Sequence, residues 1–524
     1  MALALLMASS VLGGCNKVVY VDEEESGLYY GDETESDAQT PGDETDNSDV
    51  TGSDATGSED TSTPAGNNSA ASTPNKNNST AGNKNSSTTQ KPSGDSGTTV
   101  LPAGNWGGET ITIYGLWNDN FGLQDKAKSD DKLGQMLIAK RKELEKKYNC
   151  KIVFKQMNAN DTTASLITRV KAGTKVGDIV NCQRVDVERA SLVTGILMDL
   201  NTVPNLNLKD GNWNQALSAI STQNGITYGT NYGYGDVQSG FLVNLDLYNK
   251  VKSKISWDLF DVVTKKQWTW AKFIELCQAT KFDKDANNKF DDKDQYGATC
   301  INPPTLQALI YGDGMKILER QSNGKMKWTM NSQVTKDSIN YLRNNMIFNK
   351  SWHSFESNTS ASKAFMENRV LLLGVPLWQM EEIKEKAPKM NIGFVPAPLG
   401  NSGKVKNYIN IGDSWAPILC IPTTNRKPER AGIIMSEFAK TAEETKKLTL
   451  DNYKNEYFPK DEKSLANVKM MLDNPFYENY LIEFNQTPWS AISAALWNEA
   501  DTIEQKLQEI DSQMISWVET TYNK

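Results

Sequence analysis

The run Phe282–Gly297, FDKDANNKFDDKDQYG, sets oxygen donors at fixed intervals. Asp283, Asp285, Asn287, Lys289 through its carbonyl, Asp291 and Asp294 take the first, third, fifth, seventh, ninth and twelfth places of an EF-hand-type loop. Calcium is a hard cation that takes about six to eight oxygens, and this spacing wraps them around one point. Two places depart from the usual pattern: Asn288 stands at the sixth instead of glycine, and Asp294 at the twelfth instead of a bidentate glutamate. Asparagine tolerates the left-handed backbone that the sixth place needs, whereas the shorter acid weakens the hold on the ion. Tyr296–Cys300 follows with a strand pattern, not a helical one. The reading is therefore a structural calcium clip and not a sensor, with a solvated acidic turn as the alternative.

Catalytic chemistry has few candidates. The chain has one histidine, His353, between Trp352 and Phe355, and no nucleophile elbow near it, which argues against a serine or cysteine hydrolase. Beyond Cys15, the cysteines at 150, 182, 277, 300 and 420 are far apart with no CxxC pair, so with a single histidine a zinc site is almost excluded and small buried hydrophobes are expected. Thirteen tryptophans all lie after residue 105, several in loops that follow strands. Sugars offer C–H faces to rings and hydroxyls to carboxylates, amides and Arg, so this mixture suits a carbohydrate. A glycosidase would need two carboxylates across a cleft, and Asp119 and Asp236 are the pair to consider, although nothing around them in sequence raises a pKa.

The elements that position these residues begin late. Residues 1–15, MALALLMASSVLGGC, form an apolar segment too short to cross a bilayer. Its end, Leu12-Gly13-Gly14-Cys15, resembles the lipobox of bacterial lipoproteins, which implies lipid on Cys15 and a place at the extracytoplasmic face of the cell membrane. No Lys or Arg precedes the apolar run, as an export signal ordinarily requires. Residues 16–104 are Ser, Thr, Asn, Gly and Asp with hardly an apolar side chain, so burial there cannot offset chain entropy and a disordered tether is expected. Such a flexible chain has a reach on the order of 50 Å. The tether holds 16 Asp and Glu against 4 Lys, net −12, while the chain from Asn105 holds 52 Lys and Arg against 49 Asp and Glu, net +3. The acidic balance belongs to the tether, and the folded part gives no electrostatic case for nucleic acid.

From Thr110 the pattern turns regular. Thr110–Leu116 alternates as a half-buried strand, a helix follows with Leu133, Leu137, Leu144 and Tyr148 on one face, and Cys150–Phe154 reads as a second strand. Strand, helix and strand at this spacing make a βαβ unit in a partly parallel sheet. Asp178–Asn181 is a further strand, and Val370–Leu373 a fully buried one that emerges at Gly374-Val375-Pro376-Leu377-Trp378. Ligands of open α/β sheets bind at such carboxyl ends. The chain changes direction near Gln238–Gly240, and the prolines Pro396 and Pro398 end the strand Ile392–Val395.

Six segments, DIV with the polar group after it, GILMDL, GITYGTNYGYGDVQSGFLVNLDLYNK, WTWAKFIELCQAT, FMENRVLLLGVPLW and IGFVPAPLG, resemble in order and spacing the family 1 solute-binding proteins of ABC importers, among them maltodextrin-binding proteins. The resemblance covers residues 105–524 and implies an α/β fold of the two-lobed periplasmic-binding-protein type II, with a hinge. Residues 105–238 and 396–440 would form the first lobe, and 239–395 and 441–524 the second. It implies a monomer that captures a mono- or oligosaccharide between the lobes and passes it to a membrane permease. Matching segments carry ligand contacts to Trp117, Asn118 and Asp119, to Gln183 and Arg184, to Asp236 and Asn302, and to the stacking rings Trp378 and Trp489. The family often has an aromatic where this chain has Cys182. Trp268, Trp270, Trp497 and Trp517 lie on helical patterns and are assigned to packing. A secreted glycosidase and a surface adhesin on the same scaffold are the other readings.

Overall fold

Ile111 and Ile113 alternate with Thr112 and Tyr114 along β1 (Glu109–Gly115), so this strand has two faces to cover. The computed structural model describes residues 104–523, with 130, 159–161, 234, 301–302, 356, 413–415, 479–486 and 499 excepted. The expectations for the signal segment, Cys15 and the tether lie outside the described residues. β1 pairs in parallel with β2 (Cys150–Gln156) and with β3 (Ile179–Gln183). Ile111 and Ile113 face the helices Lys132–Tyr148 and Pro428–Ala439, in a core with Leu137, Leu144, Ile434 and Phe438. Tyr114, Val180 and Cys182 face the helices Thr162–Lys171 and Arg184–Ser191, with Leu166, Val170 and Val187. Asp131 caps the helix Lys132–Tyr148 through the Gly134 N–H, and Asn149 ends it in the left-handed conformation.

After the small hairpin β4 (Thr222–Gln223) and β5 (Ile226–Thr227), the chain enters a second sheet. It consists of β6 (Phe241–Asn244) and β7 (Tyr296–Cys300), then, past the hairpin β8 (Leu318–Arg320) and β9 (Met326–Trp328), of β10 (Val370–Gly374) and β11 (Ile392–Val395). Its order is β11-β6-β10-β7, with β6 antiparallel to both neighbours. Every residue of β10 is buried, as its continuous apolar run requires of a central strand. Trp268 and Trp270 are fully buried in this lobe's core, and Trp497 and Trp517 pack partly buried against it.

Residues 236–240 lead from the first lobe into β6, and β12 (Asn410–Ile411) leads back to β13 (Pro417–Cys420), which pairs antiparallel with β3; β14 (Pro475–Phe476) pairs in parallel with β12. Side chains clip the first to the second: the Gln238 N–H donates to Asn410 Oδ1 at 3.0 Å, Asn410 Nδ2 donates to the Asp236 carbonyl at 2.8 Å, and the Ile411 N–H donates to Ser239 Oγ at 2.9 Å. Gly412 lies flush against Tyr477, where a Cβ would stand 2.0 Å from a ring carbon. The return expected at Pro396–Pro398 moves to Asn410–Ile411. Trp268 Nε1 donates to the Pro396 carbonyl, the Gly400 N–H to the Gly312 carbonyl and the Ser402 N–H to Asp313, so this stretch stays on the second lobe. The boundary expected at 440–441 moves too, since Ala442 is buried in the first core and Tyr453 in the second.

Candidate functional site

Both sheets turn the carboxyl ends of their parallel strands toward the crossovers. Gly374 and Val395 end β10 and β11 opposite Phe241, the first residue after the first crossover. Gln183 ends β3 opposite Pro417, which follows the second. Of the expected contacts, Gln183 ends β3, Trp117 follows β1 and Trp378 follows β10. Trp117 is half-buried after β1, and its carbonyl accepts from Asn181 Nδ2 at 3.1 Å. Asn118 is exposed, and the side chain of Asp119 lies outside the described residues, as does Asn302. Asp236 is exposed on the first crossover, beside Tyr453, whose phenol is pushed up by burial first and then by the Asp236 charge. Trp378 is 54% exposed, in the turn Leu377–Gln379 where the Leu377 N–H donates to the Val237 carbonyl at 2.8 Å.

Gln183 and Arg184 are less open. Gln183 is buried at the end of its strand, and Arg184 is wholly buried, with Nη1 on Glu188 Oε1 at 3.0 Å and on the Glu478 carbonyl at 2.7 Å. Trp489 is half-buried, edge-on to Tyr311 at 5.8 Å, and Tyr311 meets Phe476 at 5.0 Å. Tyr311, Phe476 and Tyr477 are rings beside Trp489 and the β12–β14 pairing that the sequence did not single out. Their signal is only spatial, because β14 is two residues long and has no periodicity of its own. Surface cavities of about 420 Å³ beside Phe458 and Lys460, and of about 490 Å³ beside Met366 and Met390, hold none of the expected residues.

The acidic run closes on itself. Phe282 and Gln295 exchange two backbone hydrogen bonds of 3.0 Å at its base, and one carboxylate oxygen each from Asp283, Asp285 and Asp294 come within 4.8 Å of one another. Asn288 has φ +59°, the left-handed value that the sixth place needs. Asp294 is wholly buried and accepts from the Lys284 and Asp291 N–H groups, while Asp283 Oδ1 is buried without a hydrogen-bond partner. Asn287 and Asp291 accept from the Lys289 and Lys293 N–H groups, local turn bonds that compete with metal ligation. The triad is a place where a metal can sit. Nearby, His353 stacks on Tyr296 at 4.3 Å and pairs with Asp292 at 2.6 Å.

The five cysteines after Cys15 form no disulfide; four are buried and Cys300 is half-buried. Cys182 lies behind the site, its thiol pushed up by a hydrogen bond with Cys420 and by burial.

The family model for bacterial extracellular solute-binding proteins matches residues 140–459, more than half of the chain. The chain belongs to that family. Solute-binding proteins of this kind are not enzymes, which removes the glycosidase reading. Among solved structures, a cyclo/maltodextrin-binding protein complexed with maltotetraose aligns at 15% identity and a TM-score of 0.56, over 79% of this chain and 98% of its own. The M. tuberculosis protein UspC aligns at 12% and 0.54, over 78% and 99%, and the GacH receptor of Streptomyces glaucescens, solved unliganded and with acarbose, at 14% and 0.50, over 78% and 99%. At these identities the likeness shows the fold: the mixed α/β architecture of periplasmic binding proteins. No curated protein sequence matches. Among the described residues no helix is long and apolar enough to cross a membrane.

Proposed function

We propose that this solute-binding protein captures an oligosaccharide where the two sheets meet the crossovers and delivers it to its ABC permease, held at the membrane by lipid on Cys15. The observation that carries the reading is Trp378, a large ring left 54% exposed at the carboxyl end of a fully buried strand and beside a crossover. An exposed ring there forgoes burial of roughly 2 kcal/mol unless something else covers it, and a sugar face suits it. Trp117, Asn118, Asp119, Asp236 and Asn302 would supply polar and ring contacts around the sugar, with Gln183 and Trp489 behind them. The arrangement works by hinge closure: solute bound to both lobes favours the closed form by its differential affinity.

Within the same reading, Asp283, Asp285 and Asp294 would hold a calcium ion, joined by Asn287, Lys289 through its carbonyl and Asp291 once their turn bonds rearrange. The left-handed Asn288 and the partnerless Asp283 Oδ1 support the fit. The ion would serve as a clip that neutralises the triad. Titration calorimetry with maltotetraose tests the carbohydrate reading, with Trp378→Ala losing about tenfold in affinity, the equivalent of about 1.4 kcal/mol. Absence of heat and of thermal stabilisation across a panel of α- and β-linked oligosaccharides would overturn it.

A further inference from the structure

Arg184 breaks a local rule. It is the first residue of the helix Arg184–Ser191, where the aligned peptide dipoles disfavour a cation, and its partner Glu188 lies one turn on, in the less favourable order for a helical ion pair. It is nonetheless wholly buried, its guanidinium 5.6 Å from the centre of the Tyr477 ring and bonded to the Glu478 carbonyl. A residue set against its local preferences is kept for what it does elsewhere. Here it ties the first lobe to the segment that follows β14, 294 residues away in sequence.

The second lobe reaches the first from its far end, at Thr222. Asn523 exchanges hydrogen bonds of 2.8 and 2.9 Å with the Met326 backbone, so the end of the helix Ile503–Tyr522 and the β8–β9 hairpin form one surface. From that surface Arg320 Nη2 donates to the Thr222 carbonyl on β4 of the first lobe at 3.5 Å. Tyr522, on the last turn of the helix, lies within the fields of Glu188, Glu478, Arg184 and Arg320. Burial first, then the two glutamates, push its phenol up.

We propose that these groups form an interlobe latch. The Arg184–Glu188 pair and Tyr477 make its first-lobe half, Tyr522 and Arg320 its second, and the C-terminal helix thereby sets the resting balance between open and closed forms. Arg184 is then a positioning residue that acts on solute through the lobes and not by touching it. The latch does not rest on the carbohydrate reading, since it works with no solute present.

The test uses the full chain in a Cys15→Ser, Cys300→Ser background, with spin labels at Lys171→Cys on the first lobe and Asp337→Cys on the second. Distance distributions are measured without solute for this parent and for added Tyr522→Ala, Arg320→Ala and Glu188→Gln. Release of the latch is expected to broaden the distribution and shift it to longer distances in Tyr522→Ala and Arg320→Ala, with the melting temperature held in Arg320→Ala and lowered in Tyr522→Ala, whose ring packs on Trp517. Glu188→Gln shifts it the same way, and if that buried variant fails to fold, the exposed Arg320→Ala carries the test. Distributions that superimpose on the parent in both Tyr522→Ala and Arg320→Ala, whether or not melting falls, would overturn the latch. Maltotetraose added to the same samples reports separately on the carbohydrate reading, because failure to close on it leaves the solute-free distances unchanged.

Discussion

In the first lobe, the carboxylate of Glu437 is nearly wholly buried and surrounded by three lysines, Lys147 at 2.9 Å, Lys440 at 3.1 Å and Lys140 at 3.2 Å. In the second, Asp294 is equally buried, but it accepts only backbone N–H groups and crowds against Asp283 and Asp285. Among the described residues no ion pair joins any of these three aspartates. A charge taken out of water must be met by opposite charge or by several hydrogen bonds. The first lobe carries its cations in its own sequence, on the helices Lys132–Tyr148 and Pro428–Ala439, which the cluster staples together. The acidic loop carries Lys284, Lys289 and Lys293, but among the described residues none of them pairs with the triad, which is the physical case for an ion from solution.

The contrast can be broken at either end. Truncating Glu437→Ala leaves three lysines converging without their anion, and a loss of about 3 kcal/mol in unfolding free energy is expected by denaturant titration, at the low end for broken buried pairs because Lys147 and Lys440 are about half exposed and can turn to water. An unfolding midpoint equal to the parent's would mean that the staple is ornamental. Acid probes the same group without mutation. Burial is the largest influence on the Glu437 carboxyl and pushes its pKa up, but the hydrogen bonds from Lys147, Lys440 and Lys140 outweigh it and hold the pKa at about 2, against an ordinary 4.5. Its contribution is therefore complete above about pH 4.5 and is lost as the pH falls toward 2, roughly 3 kcal/mol in all. Comparing the acid limbs of parent and Glu437→Gln melting curves isolates it, because the variant lacks the titration.

On the calcium side the effects are smaller. Calcium at ten times its dissociation constant should stabilise the protein by about 1.4 kcal/mol, read as a rise in melting temperature that EDTA reverses and Asp283→Asn abolishes. Equal melting in calcium and EDTA would return the loop to a solvated acidic turn. Asn288 already holds φ +59°, so Asn288→Gly should leave calcium affinity nearly unchanged and shift the melting of the EDTA-treated and calcium-loaded proteins alike, by less than about 1 kcal/mol, because the relieved backbone cost is partly offset by glycine's greater chain entropy.

Much of the scaffold was legible because its signals are local. The apolar run Val370–Leu373 is the buried β10, Leu133, Leu137, Leu144 and Tyr148 lie on one helix with Leu137, Leu144 and Tyr148 buried, and the acidic spacing does bring three carboxylates together. What sequence could not give depends on partners far along the chain. Prolines ended β11 as expected, yet the chain stays on the second lobe until Asn410, because Trp268 and Asp313 hold residues 396–402 from more than 80 positions away. Arg184 looked like an open loop residue after a strand, but Tyr477 and the Glu478 carbonyl bury it. Burial is decided by what arrives later, and no window around residue 184 contains it.

The side-chain clips at Asn410 and Ser239 carry a mechanical consequence. Because they bind neighbouring connections edge to edge, sliding or twisting one against another would break several bonds at once, whereas flexing the whole ribbon breaks none. Within this clipped ribbon, relative motion would be reduced to about a single angle. A trap with one degree of freedom has little disorder to surrender when it shuts, so most of the affinity won from a guest is retained.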